Sequence, residues 1–231
     1  MTLTELTNDA IFLLKKLIET ESFSSHEDRT ASLIEDWFKR YEVDYKRTKN
    51  NVWARNKNFD ESKPTLLLNS HHDTVKPNAA YTKDPFKAIV EDGKLYGLGS
   101  NDAGGCLVSL IAVFTYFYNE SDLKYNLVIV ASAEEESSGP DGLNSMLSVI
   151  PKVDVAIVGE PTLMNLAIAE KGLVVFDAVI NSKMHPLQLL VHVVVLLSAM
   201  VGLGCTQLLR AVGPSRPRAR LLPLRDVSTP M

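Results

Sequence analysis

Four polar clusters in this chain carry residue types that do chemistry: His71-His72-Asp73, then Asp102, then Glu134-Glu135-Glu136, and Glu160 ahead of Pro161-Thr162. The first ends the apolar run Leu66-Leu67-Leu68-Asn69-Ser70, which reads as a buried strand delivering side chains to its carboxyl end, where open α/β sheets keep their sites. Three of the four clusters directly follow such expected strands. Carboxylates gathered at one place repel one another, so a site that collects them calls for cations. Mixed histidine and carboxylate ligands suit zinc or a similar first-row metal. The chemistry this points to is hydrolysis at a paired-metal site.

Taken singly, each cluster has a plainer explanation. Loop histidines beside an aspartate suit a solvated turn, and three glutamates suit an exposed helix start, where negative charge favours the dipole. Glu160 before Pro161 suits a strand end. Gly97-Leu98-Gly99-Ser100-Asn101 imitates a nucleotide-binding glycine loop, but Asp102 displaces the third glycine and the fingerprint fails. No Gly-x-Ser-x-Gly nucleophile elbow is present.

The elements that must position these groups follow from periodicity. Leu6, Ala10, Leu13, Leu14, Leu17 and Ile18 recur at helical spacing, as do Leu33, Ile34, Trp37, Phe38 and Tyr41 after a capping pattern at Ser25 and Asp28. Short strands are expected at Tyr41–Lys46, Asn51–Arg55 and Thr65–Asn69. Asp92-Gly93 predicts a tight hairpin between Ala88–Glu91 and Lys94–Tyr96. A helix follows from Gly104 or Gly105 to Tyr118. Leu127–Ala131 and Val153–Val158 read as strands buried on both faces, joined by a helix around Leu143–Ile150. The alternation predicts an α/β fold with a mostly parallel sheet flanked by helices.

With 231 residues, 45% hydrophobic and 23% charged, the chain has an ordinary globular composition. Its formal net charge of −4 argues against nucleic-acid binding and leaves small molecules or proteins as partners. Cys106 and Cys205 lie too far apart for a zinc knuckle and form no disulfide framework, which fits a reducing compartment. The amino terminus lacks the layout of a signal peptide, and a cytoplasmic protein is expected. The composition breaks near Asn181: from there on one acid, Asp226, stands against six bases, so that stretch carries +5 and the remainder −9 of the total −4. Leu187–Leu209 is apolar enough to raise a membrane span, which Gln188, His192, Ser198 and Gln207 weaken. Val212–Met231, rich in Arg and Pro, reads as an unstructured tail.

Taken in order, the four clusters resemble the M20-type family of dinuclear zinc aminoacylases and peptidases, on the acetylornithine deacetylase side, over about residues 1–180. The family's His-x-Asp is matched by His71-His72-Asp73, its Tyr-Gly-x-Gly-x-x-Asp by Tyr96 to Asp102, its acidic-Glu-Glu by Glu134-Glu135-Glu136, and its Gly-Glu-Pro-Thr by Gly159 to Thr162. The resemblance implies two zinc ions, with cobalt an alternative. His71 and Glu160 would hold one metal, Asp102 would bridge, and Glu136 would hold the other. Asp73 would orient His71, and Glu135 would be the general base. A shift of register by one would instead make Glu134 the base and Glu135 the ligand; the later pair places Gly142 where the family has its glycine. Leu98 resembles the deacetylase branch, so the implied reaction is hydrolysis of the amide of an N-acylated amino acid. N-acetylornithine, an intermediate of arginine biosynthesis, is the first choice of substrate. A dipeptidase, a succinyl-diaminopimelate desuccinylase and a catalytically silent metal-binding fragment are the alternatives. The resemblance also implies a cis Asp102-Ala103 peptide.

The implied organisation is the amino-terminal half of a catalytic domain at 1–172, the entry to a lid or dimerisation domain at 173–180, and an atypical tail at 181–231. The chain would stop before most of the lid and the second half of the catalytic domain. Homodimers, usual in the family, would then lack the lid they need. The lid's Ser-Gly-His segment is replaced by Ser182-Lys183-Met184-His185-Pro186, and the distal histidine of the second metal has no counterpart. The charge break suggests that 181–231 arises from a frame change, a fusion or an assembly error, which reading the coding DNA in all frames tests. With the tail as it stands, one well-filled metal site at most and little hydrolysis are expected.

Overall fold

The computed structural model describes residues 2–163, 165–167, 172–180 and 189–197, the last two segments as backbone only. It divides into two compact units, Met1–Leu166 and Ala167–Met231. Of the second, the described part is an antiparallel pair, β8 (Gly172–Ile180) with β9 (Leu189–Leu197), in register from Gly172 opposite Leu197 to Ile180 opposite Leu189. The apolar stretch that raised a membrane span is therefore a strand over Leu189–Leu197; its remainder, His185 and the Arg/Pro-rich tail lie outside the described residues. No helix among the described residues is long and apolar enough to cross a membrane.

The first unit opens with α1 (Leu3–Ile18), begun by a reciprocal capping box in which the Glu5 N–H donates to Thr2 Oγ1 and the Thr2 N–H to Glu5 Oε2. Its heptad-like apolar positions Leu6, Ala10, Leu13, Leu14 and Ile18 are all buried. α2 (Asp28–Arg40) buries Ile34, Trp37 and Phe38. The expected Ser25 and Asp28 cap is not formed: Glu27 is the residue before the helix and makes no side-chain cap, while Ser25 sits in the left-handed region at φ 69° with its hydroxyl committed elsewhere. β1 starts later than its apolar pattern suggests, at Tyr45–Thr48, because Tyr41 still closes α2 and donates its hydroxyl proton to Asp9.

The central sheet runs β1-β2-β6-β3-β7, with β2 at Asn51–Arg55, β3 at Thr65–His71, β6 at Asn126–Ser132 and β7 at Val155–Val158. Four of its five strands run in one direction and β2 alone runs against them. β6, β3 and β7 are parallel, whereas β1 and β2 form a hairpin through Lys49-Asn50 and β2 also runs antiparallel to β6. Side chains alternate across it as strand geometry requires. Val52, Ala54, Leu68, Ile129 and Ala131 face α1, α2 and α3 (Cys106–Phe117), where Leu107, Ile111 and Phe114 complete the larger core. Trp53, Leu67, Val128 and Val130 face Met146 and Ile150 on the other side. There the expected helix is only the single turn α4, Leu143–Met146.

β7 also departs from expectation. Its apolar run suggests burial on both faces, but it is an edge strand with Val155, Ile157 and Val158 exposed, because β3 pairs with it on one side and no described strand on the other. The hairpin β4 (Ile89–Glu91) to β5 (Lys94–Tyr96) turns at Asp92-Gly93, both with positive φ, as a two-residue reversal requires.

Candidate metal centre

Parallel pairing of β3 with β6 places His71 opposite Ser132, so the Glu134–Glu136 turn that follows β6 lies beside the end of β3. On the other flank, the Gly159 N–H donates to Asn69 O at 2.7 Å and the Ser70 hydroxyl to Gly159 O at 2.8 Å, drawing Glu160 to the same end. A Cβ at Gly159 would lie 2.9 Å from Leu110 Cδ1 and 3.0 Å from Cys106 Cβ, so a larger residue there would crowd α3 where β7 ends. Asp102 arrives from an irregular wide turn, Ser100–Gly105, that leads into α3 and contains a cis Asp102-Ala103 peptide.

His71 is the centre of the cluster and is almost fully buried. Its Nδ1 lies 3.0 Å from the Asp73 carbonyl oxygen and 3.3 Å from Asp73 Oδ1. Both are acceptors, so Nδ1 carries the hydrogen and Nε2 is left to face the opening. Facing it are Asp102 Oδ1 at 3.2 Å, Glu135 Oε2 at 3.8 Å and Glu160 Oε2 at 4.0 Å. One ligand atom each from His71, Asp102 and Glu136 also lie within 4.8 Å of one another. Every site residue singled out in the sequence, Asp73, Glu135, His71, Asp102, Glu136 and Glu160, is thus brought to one end of the sheet.

The three glutamates differ in where their side chains point. Glu134 is buried, with φ 54°, and turns away from His71: its Oε1 accepts from the Ser25 hydroxyl at 2.7 Å and its Oε2 from the Asp141 N–H at 3.0 Å. Glu135 and Glu136 are the two that approach the imidazole and Asp102.

The electrostatics are those of an over-supplied anion cluster. Burial works against charge on His71, but Asp73, Glu160 and Glu135 outweigh it and push its pKa up to about 9. Burial and Asp102 raise the Glu136 pKa despite His71. Burial also raises that of Glu160, with Glu135, Asp102 and Glu136 adding to it and His71 opposing. Asp73 behaves oppositely: burial disfavours its charge, yet His71, the Ser24 hydroxyl and the Glu135 N–H hold its pKa low. A permanent carboxylate behind the imidazole, with several carboxylates in front that repel one another, is a donor set suited to a divalent cation, which displaces protons from such ligands.

His72, by contrast, points away. Nε2 donates to Asn50 O at 3.0 Å, Nδ1 is 2.9 Å from Thr30 Oγ1, and burial pushes its pKa down to about 4. It is a neutral tie between β3, α2 and the β1–β2 turn. Leu98 is buried too, at 6% exposure, so its side chain packs inside the fold rather than lining open space.

A mixed sheet that collects one imidazole and several carboxylates at its carboxyl edge defines an α/β metallohydrolase architecture. The model of peptidase family M20/M25/M40 matches residues 67–206, more than half of the chain, and the chain belongs to that family. The match continues past Ile180 and takes in part of the stretch beyond the charge break. Among curated relatives, the chain is 27% identical over 172 residues to succinyl-diaminopimelate desuccinylase of Blochmanniella floridana, covering 69% of this chain and 45% of that protein. It is 38% identical over 108 residues to acetylornithine deacetylase of Buchnera aphidicola from Acyrthosiphon pisum, covering 46% of this chain and 28% of that protein. The chain therefore spans less than half the length of the curated relatives it matches. Among solved structures, the M20 family metallo-carboxypeptidase Sso-CP2 of Sulfolobus solfataricus superposes with a TM-score of 0.54 at 25% identity, covering 65% of this chain and 37% of that one.

Proposed function

We propose that this chain is the metal-binding portion of an amide hydrolase acting on N-acylated amino acids, with N-acetylornithine the first substrate to test. The observation that carries the reading is His71 Nε2 facing Asp102, Glu135 and Glu160 from three separate loops while Asp73 holds Nδ1. His71 and Glu160 would hold one cation, Asp102 would lie between two, and Glu136 would serve the second; zinc is the metal proposed. A bound divalent cation supplies Lewis acidity there, polarising an amide carbonyl and making water nucleophilic near neutral pH.

The chain's own groups divide the remaining work. Asp73 keeps the hydrogen on Nδ1 and so keeps Nε2 free as a ligand. Glu135, 3.8 Å from His71 Nε2 and half exposed, would take a proton from attacking water and return it to the departing amine. The chain matches an acetylornithine deacetylase at 38% over 108 residues and a succinyl-diaminopimelate desuccinylase at 27% over 172, so both acyl groups belong in the assay. Leu98, being buried, supports neither by direct contact.

One observation favours a second reading, a chain that binds metal without turnover. The Asp102 and Glu135 side chains are 57% and 53% exposed, so nothing among the described residues excludes water from the reacting position. Metal analysis of the purified chain, run beside hydrolysis assays on N-acetylornithine and N-succinyl-diaminopimelate, separates the two. Metal-dependent release of acetate, lost in Glu135→Gln with metal content intact, supports deacylation. Bound metal without turnover supports the silent reading, and absence of metal binding rejects both.

A further inference from the structure

The loop between α1 and α2, which a metal-site reading leaves unused, is tied to the acidic turn through Ser25 and Glu27 and to Asp73 through Ser24. Its anchor is Glu27, a fully buried carboxylate. Glu27 Oε1 accepts from the Ser25 N–H at 2.6 Å and from the Glu134 N–H at 3.2 Å, and Oε2 accepts from Asn50 Nδ2 at 2.8 Å. The next two N–H groups of the same turn go to the other buried carboxylate: Glu135 N to Asp73 Oδ1 at 3.0 Å and Glu136 N to Asp73 Oδ2 at 3.1 Å. Three consecutive backbone donors are thus aimed at two buried anions. The loop adds two hydroxyls, with Ser24 Oγ donating to Asp73 Oδ2 at 2.7 Å and Ser25 Oγ to Glu134 Oε1 at 2.7 Å.

From this we infer that Glu27 is a positioning residue for the metal site: with Ser24 and Ser25 it sets the conformation of the Glu134–Glu136 turn and thereby where Glu135 and Glu136 project. The inference rests on the metal-site reading above. A buried carboxylate left with fewer donors is costly, and an acceptor shared by two backbone N–H groups holds both at once. Replacing Glu27 by glutamine at nearly constant shape exposes the requirement. If the new amide keeps its oxygen on the Ser25 and Glu134 N–H groups, its NH2 meets the NH2 of Asn50. Asn50 cannot turn over to relieve this, because its Oδ1 accepts from Arg47 Nη2 at 2.8 Å. The other orientation of the amide sets its NH2 against the Ser25 and Glu134 N–H groups, so either the Asn50 contact or the acidic turn must shift.

The test is a Co2+ titration of the full chain followed by visible absorption, whose ligand-field bands report coordination geometry. The Glu27→Gln variant is read beside Thr115→Val, which removes the acceptor of the Trp37 indole N–H inside the helical core and touches nothing at the site. Expected are Co2+ binding about tenfold weaker in Glu27→Gln with a changed spectrum, and Thr115→Val binding as the parent does. Ser24→Ala and Ser25→Ala, which remove one hydroxyl from a half-buried and from an exposed residue respectively, should weaken binding less in the same direction and serve where Glu27→Gln fails to fold. Parent-like affinity and spectrum in Glu27→Gln, or in both serine variants where it does not fold, overturn the inference and leave the metal site standing. A parent chain that binds no Co2+ overturns the metal-site reading itself and the inference with it.

Discussion

The two sides of the metal centre are built differently. His71 and Asp73, at 1% and 0% exposure, are sealed between β3, the α1–α2 loop and the acidic turn, and hydrogen bonds constrain both. Across from them Asp102, Glu135 and Glu160 reach in from loop residues with 57%, 53% and 35% of their side chains exposed. The sealed side is preorganised by a network in which Asp73 alone receives three donors; the open side is a set of mutually repelling carboxylates that a cation must gather. The sealed side should therefore dominate affinity, while the open side should tolerate change because water can stand in for a lost oxygen.

Replacements rank accordingly. His71→Ala should cost the most, weakening Zn2+ binding beyond the roughly 100-fold that changes behind a ligand produce, as read by competition with a chromophoric chelator. Asp73→Asn should cost about 10- to 100-fold, since its new NH2 replaces one of the two accepting oxygens and so faces either the Glu135 N–H or the Glu136 N–H instead of accepting from it. Glu160→Gln should cost less, no more than about tenfold, the lower end of that range. A loss in Glu160→Gln exceeding that in Asp73→Asn would reverse the comparison.

The smallest effect concerns the sealed side's other histidine and reads out in stability. His72 stays neutral in the fold because burial pushes its pKa from 6.5 down to about 4. Above pH 6.5 neither folded nor unfolded chain protonates it, so its full contribution is present. As pH falls from 6.5 to about 4 the unfolded chain alone takes up the proton, and stability drops by at most about 1.4 kcal/mol per pH unit. Urea unfolding across that window should show this slope in the parent and a shallower one in His72→Gln; identical slopes would mean that His72 is not held neutral.

The sequence made part of this legible for physical reasons. α1, β2 and the β4–β5 hairpin stand where periodicity and Asp92-Gly93 place them, because those signals are local. β7 also stands where its apolar run places it but is exposed rather than buried, because a continuous apolar run reports side-chain character and says nothing about which neighbours a strand finds. The one reversed strand, β2, is hidden for a related cause: a two-residue turn at Lys49-Asn50 imposes an antiparallel hairpin, which an alternation of strands and helices obscures. At the site, His71, Asp73, Asp102, Glu135, Glu136 and Glu160 stand out as polar residues directly after apolar strands or a glycine turn. Glu27 and Ser25 do not. They sit among Ser22, Ser24 and His26 in a segment polar enough to be a solvated connection, and only the folded chain shows that Glu27 is buried against Glu134. His72 is the converse case, a residue of suggestive type beside a ligand whose two nitrogens are both engaged in the scaffold.

The central proposal is that His71 organises a divalent cation at the end of β3. Calorimetric titration of Zn2+ into the purified chain and into its His71→Ala variant at neutral pH tests it most directly. Saturable binding in the parent that disappears in the variant, with both proteins folded, is the predicted result; no binding in the parent, or equal binding in the two, would contradict it.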